Sequence, residues 1–499
     1  MRLIILFVIT VLSLSAWANS SDGRQVKIVF ASEMPEIHDG DTRYARLATL
    51  LEQQRAKNKD TFFFFGGGSL GPSILSSFDK GSHIIDLLNS LEPDAMGVSK
   101  REFSFYPENL SLRAYDATFP VVASNVIDTA TEEELDGIVK SAISVHNDIS
   151  IGFLSIIDSS VLEDYTFSQI SLLDPLKAIE SEAMSLRRNG ADIILLHYTG
   201  YYPIINDLLE RKVIDFSLHK DESYQDVDYS KRTYHNRDIF VKSASGVALL
   251  TMNVSPSLSK TFSSYSLDIV DVDRFPQNKV VATQVKGHIN RLKSILAVEI
   301  GKFEVPITTR RTLVRSKENA FGNYIADSVR AFAKAPLAII NSGSIRGNRD
   351  YKKGEVISRG TIANELPFRG KLALIEINGA QLFEAMEHSV SALKVFRGRF
   401  AQISGMTVVY DSSQPVGTRI KSIKINGKDI KLTQLYQIAT TDYLAAGGDG
   451  YDVFKQAKKL SAKHLAIRLV SDITSDKIAM DKVLAPTVDG RLIDLATKN

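Results

Sequence analysis

Residues 436–454 read YQIATTDYLAAGGDGYDVF. A strand pattern here runs into a Gly-Gly-Asp-Gly loop. Alone, such a loop is only a tight turn, because glycine adopts positive φ at little steric cost. Its neighbours in the chain give it a context. ENAFGNYIADSVRAF (318–332) reads as an amphipathic helix. PLAIINSGSIRG (336–347) is a strand ending in a small-residue turn that presents Arg346. ELPFRGKLALIEINGAQLFEAMEHS (365–389) holds a Pro-Phe turn, a strand, Asn378-Gly379 and a helix. RGRFAQISGMTVVYD (397–411) sets Phe400 just before a strand. Short apolar strands that alternate with helices predict an α/β unit from about Phe303 to the end.

The first half has the same character. QVKIVFAS, DTFFFFGGGS, FPVVASNV, ISIGFLSII, ADIILLHYT and VIDFSLH read as strands, and TRYARLATLLEQQRAK and SHIIDLLNSLE as helices. From about Asp238 to Asp271 the pattern becomes β-rich. A polar helical stretch follows at 278–302 and reads as a linker helix. There is no internal repeat and no low-complexity tract.

The first residues place the chain in a compartment. Arg2 precedes the apolar run LIILFVITVLSLSA and then Ala16-Trp17-Ala18. A positive start, a short apolar core and an A-x-A site predict a signal peptide over 1–18. The run is too short for a stable membrane span. Cysteine is absent, which excludes disulfides and a cysteine-linked lipid anchor. The expected location is therefore secreted, in a bacterial periplasm, with no membrane anchor. Lys plus Arg number 60 and Asp plus Glu 58, a net charge of +2. That balance exerts no long-range pull on nucleic acid or acidic lipid. A covalent hydrolase is not indicated, since cysteine is absent and no Gly-x-Ser-x-Gly elbow appears.

Taken together, NSGSIR, LPF, NGAQLFEAMEHS, FAQISG and DYLAAGGDGY closely resemble the C-terminal domain of the 5′-nucleotidase family, over 315–454. The resemblance implies a site that holds a nucleoside or nucleotide. Two aromatics clamp the base, here Phe400 and Tyr443. Asp449 accepts from the ribose hydroxyls, Gly447 and Gly448 let backbone approach the sugar, and Arg346 meets a phosphate or other polar group. Residue chemistry agrees: a base stacks on any aromatic face, a carboxylate accepts two hydrogen bonds, and a guanidinium forks onto phosphate oxygens. Other substrate arginines are not placed, although Arg397 and Arg399 lie near the clamp.

The first half resembles the family's calcineurin-like metallophosphoesterase domain. The whole chain is then expected to be α/β (α+β layered). A four-layer αββα domain spans 19–275, a linker helix 276–302, and the C-terminal α/β nucleotide-binding domain 303–499. A dinuclear phosphoesterase needs oxygen and imidazole ligands at strand ends to hold two cations and activate a bridging water. The resemblance implies five ligand motifs, and all five depart here. Asp-x-His is Glu33-Met34-Pro35, Gly-Asp is Gly67-Gly68, and Gly-Asn-His-Glu is Ser99-Lys100-Arg101-Glu102. Thr-His-x-Gly corresponds to His197-Tyr198-Thr199-Gly200, and Gly-His-x-His to Lys220-Asp221-Glu222-Ser223. Lys100 and Arg101 put positive charge where a metal is expected, and such a cluster suits phosphate better. The expected protein is a nucleoside or nucleotide binder with no catalytic and no metal-binding residues. The alternative is an active phosphoesterase with a rearranged Zn, Mn or Mg site, built from Glu33, His38, Asp39, Asp41, His197, His219 or Asp221.

Overall fold

The computed structural model describes residues 24–497 except 36, 39, 41, 72, 160, 163–168, 201, 221–235, 244, 256–261, 369 and 461–467. The expected signal peptide, and Asp39, Asp41 and Asp221, lie outside the described residues.

The strand Thr61–Phe65 is buried at all five positions. Successive side chains of a strand point to opposite faces, so TFFFF requires cover on both. Phe63 and Phe65 share a core with the helices Arg43–Lys57 and Ser82–Leu91. Phe62 and Phe64 share another with Phe153, Ile193 and Leu195 of a second sheet. Leu154, Ile194 and Leu196, on that sheet's far face, pack with the helices Pro175–Arg188 and Ile205–Glu210. The layers are helix, sheet, sheet, helix, as expected.

The first sheet runs in the order Phe262–Asp271, Gly246–Val254, Arg24–Ala31, Thr61–Phe65, Ala95–Gly97, Val121–Val122, Ile138–Val139. From Arg24–Ala31 onward its strands are parallel. In the second sheet Asp238–Phe240, Phe216–His219, Ile193–Tyr198 and Ile149–Ile156 are parallel, and Ser141–His146 closes it antiparallel. Ligands of parallel sheets bind beyond the carboxyl ends of the strands. Glu33, Gly68, Ser99 and Lys220 follow such ends, and His197 is the penultimate residue of one strand.

The helical stretch expected through Lys302 stops earlier. Its helix is Lys279–Leu296, started by Asn278, whose side chain accepts from the Val280 and Val281 amides. Val281, Val285 and Ile289 form one buried stripe against the N-terminal core. Glu299–Phe303 is instead a strand, paired with Val356–Ser358 and Val483–Leu484. Tertiary pairing overrides local helical character there.

The C-terminal half centres on a five-stranded sheet ordered Ala401–Ser404, Leu337–Asn341, Leu435–Thr441, Leu372–Asn378, Lys458–Leu460. Leu337–Asn341 and Leu435–Thr441 are parallel neighbours. Their carboxyl ends therefore deliver the 342–346 turn and the 442–449 loop to the same place.

Candidate functional site

A cavity of about 510 Å³ opens where those two strands end. Phe368 and Tyr443 line it, together with Arg315, Asn341, Arg346 and Asp449. Phe368 is 53% exposed and Tyr443 52%. Such exposure leaves two large aromatic faces in contact with water. Phe368 follows Leu366-Pro367 directly after the helix Arg359–Glu365. Proline restricts the residue before it to extended backbone, which ends that helix and turns the phenylalanine outward.

Asp449 is held from three sides. The Asn341 amide donates to its Oδ2 at 2.7 Å, and the Tyr443 hydroxyl donates to Oδ1 at 3.2 Å. The same hydroxyl accepts from the Asp449 amide at 3.0 Å. His388 Nε2 donates to the Asp449 carbonyl at 2.9 Å. A carboxylate oxygen has two acceptor sites, so Asp449 retains capacity for a diol. Gly448 is required by close approach, because a Cβ there would meet the Tyr443 ring at 2.5 Å. Gly447 has φ 88° and would place a Cβ 2.3 Å from Lys455.

Two guanidinium groups share the cavity. Arg315 is only 7% exposed, with Nη1 donating to the Phe396 carbonyl at 3.3 Å and Nε unbonded. Burial lowers its pKa, as do the charges of Arg311 and Arg346, while Asp449 opposes the shift. Arg346 lies with Cζ 5.2 Å from the Phe368 ring centroid. Its turn is braced by Glu365, which is fully buried. The Glu365 carboxylate accepts from Thr309 Oγ1 at 2.9 Å, from the Gly347 amide at 3.1 Å and from the Tyr351 hydroxyl. Burial pushes the Glu365 pKa up against those bonds. Arg315 and Arg346 share the wall with two carboxylates, Asp449 and Asp442, and burial pushes the Asp442 pKa up. The two guanidinium forks are the groups that can take an anionic ligand.

At the N-terminal strand ends, different groups fill the space. Glu102 is 2% exposed and accepts from the amides of Gly68, Ser69, Leu70 and Ser99 and from the Ser99 hydroxyl. A Cβ on Gly68, where φ is 74°, would meet Glu33 Cγ at 2.6 Å. A Cβ on Gly66 would lie 2.8 Å from both His197 Nε2 and Ser32 Oγ. Lys220, 2% exposed, donates to the Ser32 carbonyl at 2.8 Å. His197 is fully buried, with Nδ1 2.9 Å from Ser155 Oγ and Nε2 unbonded. Burial, reinforced by nearby His219, pushes its pKa down to about 3, so the ring is neutral. His219 stacks on Tyr198 at 4.6 Å and on Phe240 at 4.8 Å.

A family model for the 5′-nucleotidase C-terminal domain matches residues 299–456. The snake venom 5′-nucleotidase of Crotalus adamanteus is 25% identical, over 90% of this chain and 83% of that protein. Residues 299–456 are a 5′-nucleotidase C-terminal domain, and the chain as a whole resembles 5′-nucleotidases. The NAD nucleotidase of Haemophilus influenzae shares its fold with a TM-score of 0.60 at 13% identity, covering 94% of this chain and 99% of that one. A 5′-nucleotidase precursor from Thermus thermophilus gives 0.51 at 18% identity, with the same coverage.

Phe400, the ring expected to clamp a base with Tyr443, is not on the cavity wall. Phe400 is 1% exposed and belongs to the core under the cavity, with Leu337, Ile339 and Tyr451. Its carbonyl accepts from the Ser342 amide, which draws the residue into the sheet. The second exposed ring of the cavity is Phe368. Arg346, Tyr443 and Asp449 do line it, whereas Gly447 and Gly448 shape the loop beneath Tyr443 and are not wall residues. The second arginine is Arg315, and neither Arg397 nor Arg399 is on the wall. Phe368 lies in the LPF motif of the resemblance, which was the available signal for it; Arg315 precedes every one of those motifs and stands only at the start of the 315–454 span.

The two cations implied by the 5′-nucleotidase resemblance do not fit the N-terminal residues. Among the described residues no three His, Cys, Asp or Glu side chains come together as a metal-binding group. Gly68 offers no carboxylate, and Glu33 fills the space one would need. The Lys220 ammonium occupies the strand ends with a charge that repels a metal ion. His38 is exposed and His219 sits in an aromatic stack, so neither joins His197 in a ligand set.

Proposed function

We propose that this protein binds a nucleoside or nucleotide in its C-terminal cavity and does not hydrolyse it at a dinuclear metal centre. The observation that carries the reading is the pair of exposed rings, Phe368 and Tyr443, on the wall of a cavity that also holds Arg315, Arg346 and Asp449. The two rings supply stacking faces for a base, which are tolerant of its identity. Asp449, oriented by Asn341, accepts from the ribose hydroxyls. Arg346 and Arg315 take a phosphate by charge-assisted hydrogen bonds. The N-terminal domain serves as a scaffold. Secretion into a bacterial periplasm completes the reading and rests on the leader-like residues 1–18. Among the described residues no helix is long and apolar enough to cross a membrane.

A second reading keeps a phosphoesterase with a rearranged metal site, and the unbonded Nε2 of His197 favours it. It requires further ligands that the described residues do not gather.

Calorimetric titration of AMP and adenosine tests the binding role. Arg346→Met keeps the aliphatic stem and removes the charge. Hydrogen bonds to charged groups contribute about 1.5–3 kcal/mol, so AMP affinity is expected to fall about 10- to 100-fold. Adenosine affinity should stay within about threefold. Equal losses for both ligands would remove Arg346 from the phosphate end.

A further inference from the structure

A second cavity, of about 240 Å³, adjoins the first. Leu366 and Phe368 line both. The consecutive residues Leu469 and Val470 are divided between them, so Phe368 and the start of the helix Val470–Asp481 form a partition. The second cavity gathers three cations, Lys80, Arg359 and Arg468, against two carboxylates, Asp472 and Asp476.

Those charges are unequally satisfied. Lys80 Nζ donates to the Ser77 carbonyl at 2.7 Å and lies over the Phe105 ring. Arg468 is paired with Asp476 and lies over the Phe332 ring, but its buried Nε has no hydrogen-bond partner. Arg359 differs from both. Its backbone amide donates to the Val298 carbonyl, while its buried Nε is unbonded and its Cζ lies 5.9 Å from the Phe78 ring centroid. Among the described residues no carboxylate is within ion-pair distance of it. A partly buried guanidinium without an anion is costly to desolvate, and a planar fork on a cavity wall suits phosphate oxygens.

We propose that a phosphate-class dianion binds between Arg359 and Arg468 in this second cavity, separately from Arg315 and Arg346. The ligand is either the distal phosphate of a nucleotide seated in the first cavity or a free phosphate. The first source rests on the nucleotide-binding reading above; the second does not.

Titrating the full chain with inorganic phosphate, AMP and ADP separates these cases. Arg359→Met retains the stem against Phe78 and removes the charge; Arg359→Gln is a second variant should the first fold poorly. If the distal phosphate is the ligand, ADP binds at least tenfold more tightly than AMP. Arg359→Met then abolishes that advantage and leaves AMP within twofold. If a free anion is the ligand, phosphate binds the wild type, its affinity falls at least tenfold in the variant, and ADP and AMP behave alike. Should no nucleotide bind the wild type, the nucleotide reading fails and the phosphate titration alone decides the site. The proposal is overturned if Arg359→Met and Arg359→Gln, both folded, change neither phosphate affinity nor the ratio of ADP to AMP.

Discussion

Phe368→Ala is expected to weaken adenosine binding about 5- to 100-fold. Base stacking on an aromatic ring contributes about 1–3 kcal/mol by alanine substitution, and each 1.4 kcal/mol is about tenfold. Phe368 is more than half exposed, so the truncation removes a face from the ligand without opening a hole in the core. Unfolding stability should therefore change by no more than about 0.5 kcal/mol. Phe400→Ala is the informative contrast. That ring is buried among Leu337, Ile339 and Tyr451, and its loss should cost about 3–5 kcal/mol of stability through the cavity it leaves. Calorimetry and urea denaturation on the two variants separate the roles. Weaker adenosine binding in a stable, folded Phe400→Ala protein, with Phe368→Ala unaffected, would return the clamp to Phe400.

Glu102→Ala should destabilise the N-terminal domain by about 3 kcal/mol or more. One buried carboxylate there satisfies four backbone amides and a hydroxyl. Each buried donor left without a partner costs about 1–3 kcal/mol, and partial hydration of the gap offsets some of the sum. The loop Gly66–Gly68 should lose its shape first, because its conformation depends on positive φ at Gly67 and Gly68 and on this acceptor. Glu102→Gln keeps one carbonyl acceptor and should cost roughly half as much. Urea denaturation followed by far-UV circular dichroism reads the effect. A Glu102→Ala protein within about 0.5 kcal/mol of wild type, the range of an ordinary surface substitution, would show that the carboxylate is not what organises these strand ends. The expected loss makes Glu102 the brace of these strand ends.

The fold was legible where pattern and burial coincide. TFFFF could not be a half-exposed strand, and its two faces do pack into two different cores. The helix at 279–296 was legible as a polar helical stretch, but neither its end nor its buried 281, 285, 289 stripe was. Residues 299–303 become a strand because partners from 356–358 and 483–484 reach them, and no local signal encodes those partners. At the candidate site, Tyr443 and Asp449 were legible because the glycine loop that carries them is contiguous with its strand. Phe368 was missed because it lies in a turn far along the chain from Tyr443, and burial alone distinguishes it from Phe400. Arg315 was missed for a similar reason: it precedes a helix, and only the fold brings it to the cavity wall beside the Phe396 carbonyl. The departures from the five ligand motifs were legible residue by residue. That Glu33, His197 and Lys220 crowd the same strand ends was not, since three separate strands must converge before it shows.

The central claim is a nucleotide-binding cavity facing no working metal centre. It is tested most directly by incubating the purified protein with AMP and added Mn²⁺ or Zn²⁺, then identifying the bound nucleotide by chromatography. The account predicts that AMP is recovered intact, in proportion to protein, whether or not metal or EDTA was present. Recovery of adenosine with released phosphate, dependent on the added metal, would contradict it.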